Sequence, residues 1–169
     1  MNKQLAISIP TYNRTEILKS NLFNIINQAK RFDIPIYISD DSDNNRTHEM
    51  IKTYIQDYQF LFYTHNIPSL HHDKNIISCL SYIETKYIWL IGDSISLSDN
   101  ALLQILNIIE SESPTIISCN SKDRIVNIQS KHITDKDYVL ENFGWHNTLT
   151  GTTIYSDRSL NNLMNMDLL

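Results

Sequence analysis

Cysteine, glycine and proline are all scarce in this chain of 169 residues, at two, three and four respectively. Cys79 and Cys119 stand alone, without a CxxC pair or the ligand spacing of a structural zinc. Both read as small buried hydrophobes in a reducing cytoplasm rather than as a disulfide framework. No glycine-rich phosphate loop is present: neither GxGxxG nor GxxxxGK followed by Ser or Thr occurs, which sets aside dinucleotide and P-loop chemistry. Fourteen basic residues face nineteen acidic ones, for a net charge of −5. The basic residues never cluster, so no track for phosphate backbones exists and nucleic acid is excluded as a partner. No apolar run approaches a membrane span, and the opening MNKQLAISIPTYN meets polar residues too soon for a signal peptide. The expectation is a soluble, cytoplasmic chain with room for peripheral contact at the inner face of a membrane. Repeats, low-complexity tracts and linkers are lacking too, and 41% hydrophobic residues suffice for one sizeable core.

What is present is an alternation of two patterns. Leu5 to Ile9 is a short apolar strand that Pro10 is expected to stop. Leu18, Leu22, Ile25, Ile26 and Ala29 then form one stripe on a helix capped by Thr15 and started by Glu16. Ile34 to Ser39 predicts a second strand, Arg46 to Asp57 a helix, and Phe60 to Thr64 a third strand. Asp73 to Glu84 predicts a helix with Ile76, Ile77, Leu80 and Ile83 inward, and Tyr87 to Ile91 a fourth strand. A helix capped by Asp99 runs to Glu110, and Thr115 to Cys119 is a fifth strand. Beyond Ser121 the pattern weakens to a strand over Ile125 to Gln129, a short helix over Lys136 to Asn142 and a strand over Thr148 to Tyr155. Almost wholly apolar strands alternating with amphipathic helices predict an α/β fold with a doubly wound, mostly parallel sheet.

In such a sheet, ligands bind beyond the carboxyl ends of the strands, where loops converge. Three polar clusters fall at strand ends: Pro10-Thr11-Tyr12-Asn13-Arg14, Asp40-Asp41-Ser42-Asp43 and Gly92-Asp93-Ser94. Adjacent carboxylates there can accept from a base N–H or a ribose hydroxyl, or hold a hard cation against a diphosphate. The plain alternative is that each acidic cluster only makes a turn. His65, His71 and His72 lack an i, i+4 pairing and read as surface histidines rather than metal ligands.

The runs AISIPTYNR, IYISDDSDN, HNIPSLHHDKN and YIWLIGDS, in this order and spacing, resemble the inverting family 2 glycosyltransferases of GT-A fold, including bacterial enzymes of surface polysaccharide synthesis. The resemblance implies a single GT-A-like domain, with the nucleotide-sugar-binding half over residues 1–110 and the incomplete start of an acceptor half over 111–169. It implies that Pro10 and Tyr12 touch the base, with Tyr12 stacking. Asp41 would accept the imide hydrogen while Asp40 supports the loop, and Lys74 of the Asp73-Lys74-Asn75 run would face phosphate or base. For Asp73 and Lys74, a helix cap beside a solvated lysine is an equal alternative. The donor would be a nucleotide sugar, a UDP-sugar as family prior, and the acceptor a glycan or a lipid-linked precursor.

The sequence departs from the family in two places. Where members carry DxD or three aspartates for Mn²⁺ or Mg²⁺, this chain has Asp93-Ser94-Ile95. Asp93 is then the one metal candidate, and metal affinity should be low or absent. The catalytic base is not identified: Trp145-His146-Asn147 resembles the start of the second half, but Glu141 and Asp157 fit the role of base poorly. The expected function is therefore glycosyl transfer, with a non-catalytic nucleotide-sugar-binding or scaffold protein as the alternative. A phosphoacceptor signalling domain ranks last, because its acidic pair would follow the first strand.

Overall fold

The computed structural model describes residues 1–81, 84–122 and 132–164, with side chains as far as Asn161. Six strands form one sheet in the order β3-β2-β1-β4-β6-β5. They are β1 (Leu5–Thr11), β2 (Ile36–Asp40), β3 (Leu61–His65), β4 (Tyr87–Leu90), β5 (Ile116–Ser118) and β6 (Thr153–Ser156). The helices are α1 (Thr15–Lys30), α2 (Arg46–Asp57), α3 (His71–Leu80), α4 (Ala101–Glu112), α5 (Lys136–Phe143) and α6 (Asp157–Met164). Strands β1 to β4 pair in parallel, while β6 runs antiparallel to both of its neighbours. The doubly wound, mostly parallel reading holds.

The core follows from the apolar strands. Leu5, Ile7, Ile9, Ile36 and Ile38 are buried against Leu18, Leu22, Ile25, Ile26 and Ala29 of α1 and Leu102, Ile105 and Ile109 of α4. Each such leucine or isoleucine contributes about 1.5 to 3 kcal/mol on burial. On the other side of the sheet Ala6 and Ile88 pack with Leu160 of α6 and the partly buried Leu80 of α3.

Several boundaries differ from expectation, each for a local reason. Pro10 does not stop β1. Ile7 donates to Pro35 and Thr11 accepts from Asp41, whereas Ser8 accepts from Ile91. Odd positions thus face β2 and even ones β4, and the amide that Pro10 lacks points past the last β1–β4 register pair, Ser8 with Leu90. The second strand starts at Ile36 because Ile34 is held by the end of α1 through Ala29 O, at 3.1 Å. Thr15 does not cap α1. Arg14 occupies that position without a side-chain cap, and the Thr15 hydroxyl meets that of Thr47 at 2.9 Å. Asn100, at φ 58°, replaces Asp99 ahead of α4, which runs on to Glu112.

Helix α3 starts at His71 and turns Asn75 and Cys79 inward, leaving Ile77 55% exposed. Ile83 lies outside the described residues, as does the strand expected over 125–129. Cys79 is buried and Cys119 half-buried. The expected strand from Thr148 shortens to β6, because His146–Thr148 forms a 3-10 turn and Gly151 takes φ +104°. Trp89 Nε1 donates to Gly151 O at 2.9 Å, fixing that bend against β4.

Candidate functional site

Parallel pairing brings the carboxyl ends of β1, β2 and β4 to one edge, and three loops are cross-bonded there. Thr11 Oγ1 donates to Asp93 Oδ2 at 2.9 Å, joining the end of β1 to the loop after β4. Arg14 Nη1 pairs with Asp93 Oδ1 at 3.0 Å, with the arginine half-exposed and the aspartate buried. From α1, Asn21 Nδ2 donates to the Asp93 carbonyl at 3.1 Å. The loop after β2 joins the set through Asp41 N to Thr11 O at 3.0 Å and Asn13 N to Ser42 Oγ at 2.8 Å.

The two adjacent aspartates have different surroundings. Asp40, fully buried, accepts from the Ser42 amide and hydroxyl and from Tyr63 OH at 2.7 Å. It shapes the loop, as expected. Burial and the neighbouring Asp40 carboxylate push the Tyr63 phenol up, which keeps it protonated as the donor. Asp41 reaches across to the loop before α3: Oδ1 accepts Leu70 N at 2.6 Å, and Oδ2 accepts Ser69 Oγ at 2.6 Å and His71 N at 2.9 Å. Burial alone would raise its pKa. The donors Ser69, Leu70, Asn66 and His71 together outweigh burial and hold the carboxyl below its ordinary value. Asp93 shows the opposite balance: burial outweighs the Thr11 hydroxyl and the Arg14 charge, and its carboxyl is pushed up.

The five predicted site residues are not equally close to this edge. Pro10 pairs in register with Ser39 at the end of β2. Tyr12 follows, 54% exposed. Asp41 and Asp93 are both buried and both bonded to Thr11, one through its carbonyl and one through its hydroxyl. Lys74 is exposed on α3, with no hydrogen bond or ion pair to the other four among the described residues. Asp73 is also exposed in the first turn of α3.

Three residues matter more than their sequence context suggests. Asn75 is buried and sends its amide toward Ser39 O at 3.3 Å and Thr11 O at 3.5 Å, while accepting from Asn66 at 3.3 Å. It ties α3 to the ends of β1 and β2. Arg14 reaches between the β1 and β4 loops. His146 is buried and bonds the Cys119 carbonyl through Nε2 at 2.8 Å, holding the 3-10 turn to the end of β5. A polar residue inside an apolar helix face was the available signal for Asn75; no spacing marks the other two. Of the weak candidates for a base, Asp157 lies at the opposite edge, its amide bonded to Lys86 ahead of β4, and Glu141 is exposed on α5. No group of three or more His, Cys, Asp or Glu able to share a metal ion occurs among the described residues.

Comparison with known proteins shows the family and the fold. The family model described as glycosyl transferase family 2 matches residues 6–163. The abequosyltransferase RfbV of Salmonella typhimurium strain LT2 is 32% identical over 148 residues, covering 82% of this chain and 44% of RfbV. Among solved structures, S. aureus TarS 1-349 superposes with a TM-score of 0.72 at 14% identity, over 95% of this chain and 49% of TarS. The mannosyltransferase PcManGT of Pyrobaculum calidifontis, solved with GDP-Man and Mn²⁺, gives 0.70 at 12% identity, over 96% of this chain and 47% of its own. The chain thus spans about half the length of these relatives, and the fold it shares with them is GT-A. The chain belongs to glycosyl transferase family 2.

Proposed function

We propose that this chain carries the donor half of a glycosyltransferase that moves a sugar from a nucleotide sugar to a glycan or lipid-linked acceptor in surface polysaccharide synthesis. The observation that carries the proposal is the cross-bonded edge, where exposed Tyr12 follows Thr11, to which both Asp41 and Asp93 are bonded. Similarity to RfbV and to TarS, which was also solved with UDP-GlcNAc, supports the substrate class. Residues 1–110 are taken as the nucleotide half and 111–169 as the start of the acceptor half. A cytoplasmic reaction, peripheral to the inner face of the membrane for a lipid-linked acceptor, goes with this reading.

In this reading the base stacks on Tyr12 with Pro10 beneath the loop. On the same reading the Asp41 carboxylate, fixed by Ser69, Leu70 and His71, also accepts the imide N–H of the base. Lys74 answers the phosphate charge from α3. The acceptor oxygen bonds to the anomeric carbon as the bond from that carbon to the diphosphate breaks. The nucleoside diphosphate leaves with the electron pair, and the acceptor proton passes to a base.

Calorimetric titration with UDP, GDP, CMP and dTDP tests the reading. One nucleotide should bind, and Tyr12→Ala should weaken it about tenfold, the loss of one base-stacking contact. Because Tyr12 is exposed, that variant keeps its fold. Saturation by none of the four, or unchanged affinity in Tyr12→Ala, would overturn the assignment.

A further inference from the structure

The family reading brings with it a divalent cation at the strand-end acid, Asp93. Asp93 offers the carboxylate, but Oδ2 is engaged by the Thr11 hydroxyl and Oδ1 by the Arg14 guanidinium at 3.0 Å. A dication placed on Asp93 would lie beside a fixed positive charge, which repels it. No second acid follows Asp93 in its own loop: Ser94 comes next, and Ile95 is turned against Gly151, where a Cβ on the glycine would lie 3.2 Å from its side chain; among the described residues no group of three or more His, Cys, Asp or Glu is placed to hold a metal ion. These residues do not fit a divalent cation.

The same contacts describe a cation that the chain supplies itself. Arg14 is 47% exposed, and one of its five N–H donors is used on Asp93. Asp93 is itself fixed by Thr11 and, through its carbonyl, by Asn21 of α1. The guanidinium is therefore anchored at the ends of β1 and β4 before any ligand arrives, and the half-exposed side chain leaves donors accessible. Preorganised donors aimed at a developing negative charge are the usual means of stabilising a leaving group, and arginine matches phosphate oxygens in two-point geometry.

We propose that Arg14, held by Asp93, binds the diphosphate of the donor in the place of a divalent metal, alongside Lys74, and that donor binding by this chain needs no divalent metal. The proposal rests on the donor-site reading above and deepens it.

Calorimetry with UDP, GDP and the matching nucleosides, each in EDTA and in Mn²⁺, tests it on the wild type, Arg14→Ala and Arg14→Lys. The expected result is diphosphate binding in EDTA that Mn²⁺ improves less than about threefold. Arg14→Ala should weaken the diphosphate about tenfold or more, the equivalent of one charge-assisted hydrogen bond, and leave the nucleoside unchanged. Arg14→Lys should fall between, because it keeps the charge and loses the fork. A purely structural role for Arg14 would weaken nucleoside and diphosphate together. Diphosphate binding that appears only with Mn²⁺, or that Arg14→Ala leaves intact, overturns the proposal while the donor site stands. Absence of any nucleoside or nucleotide binding in either buffer overturns both.

Discussion

Replacing Asp41 by asparagine tests how the donor edge is held together. The substitution preserves shape but exchanges one acceptor oxygen for an NH₂ group and removes the charge. If the remaining oxygen keeps the 2.6 Å bond from Leu70 N, the His71 amide loses its 2.9 Å acceptor and retains a 3.2 Å contact with Ser69 Oγ. The Ser69 hydroxyl can rotate to accept from the new amide. The net loss is one hydrogen bond to a charged group, about 1.5 to 3 kcal/mol. For a chain of this size that lowers Tm by about 3 to 12 °C. Asp41→Ala leaves these donors unmatched and should be less stable still.

The pH dependence supplies the control. The folded-state pKa of Asp41 lies below its ordinary value of 3.8, so the carboxylate stabilises the fold above that value and loses its effect as pH falls through the folded pKa. Urea titrations of wild type and Asp41→Asn should differ by the full amount near about pH 7 and converge as pH falls below about 4. Equal stability near neutrality, or a difference that persists unchanged in acid, would refute the reasoning. One practical consequence is that Asp41→Ala confounds folding with ligand binding, so Tyr12→Ala is the cleaner probe of the site.

Other outcomes are expected elsewhere in the chain. Asn75→Ala removes the amide that links α3 to Ser39 and Thr11 and should cost about 1 to 3 kcal/mol in urea unfolding; a loss under about 0.5 kcal/mol would show that those long contacts carry nothing. Gly151→Ala combines positive φ with a 3.2 Å approach to Ile95, so it should lower stability by about 1 to 2 kcal/mol, read by thermal melting. Burial pushes both thiols, Cys79 and Cys119, up to about 11, so neither should react readily with a disulfide reagent at neutral pH. Rapid labelling of two thiols in the native protein would contradict the packing described.

The parts of this architecture that depend on apolar patterning were readable from the sequence. The α1 stripe from Leu18 to Ala29 is buried as expected, because burial of that face outweighs every local preference along it. The three strand-end clusters meet because β1, β2 and β4 pair in parallel. What could not be read depended on partners far apart in the chain. Periodicity points Ile77 inward, yet α3 buries Asn75 and Cys79, since the inner face must meet the carbonyls of Thr11 and Ser39 as well as apolar groups. Pro10 looked like a terminator because composition does not show toward which neighbour its missing amide points. The role of Arg14 required knowing that residues 14 and 93 face each other, a relation that a single sequence does not encode.

The place of β6 has a consequence for how the chain folds. Strand β5 is only Ile116–Ser118 and, among the described residues, pairs with β6 alone, while β6 inserts between β5 and β4. In synthesis, β1 to β4 with their connecting helices can form an early parallel unit, whereas β5 has no ladder to join until Thr153–Ser156 has emerged. The last part of the sheet therefore closes late, across a long intervening segment whose loop entropy must be met first. During that interval β4 presents an unpaired edge, Tyr87 to Leu90, that is apolar along its whole length, the kind of edge that recruits other chains. Yield of soluble protein should therefore respond more sharply to substitutions in β6 than to equally buried changes in β2.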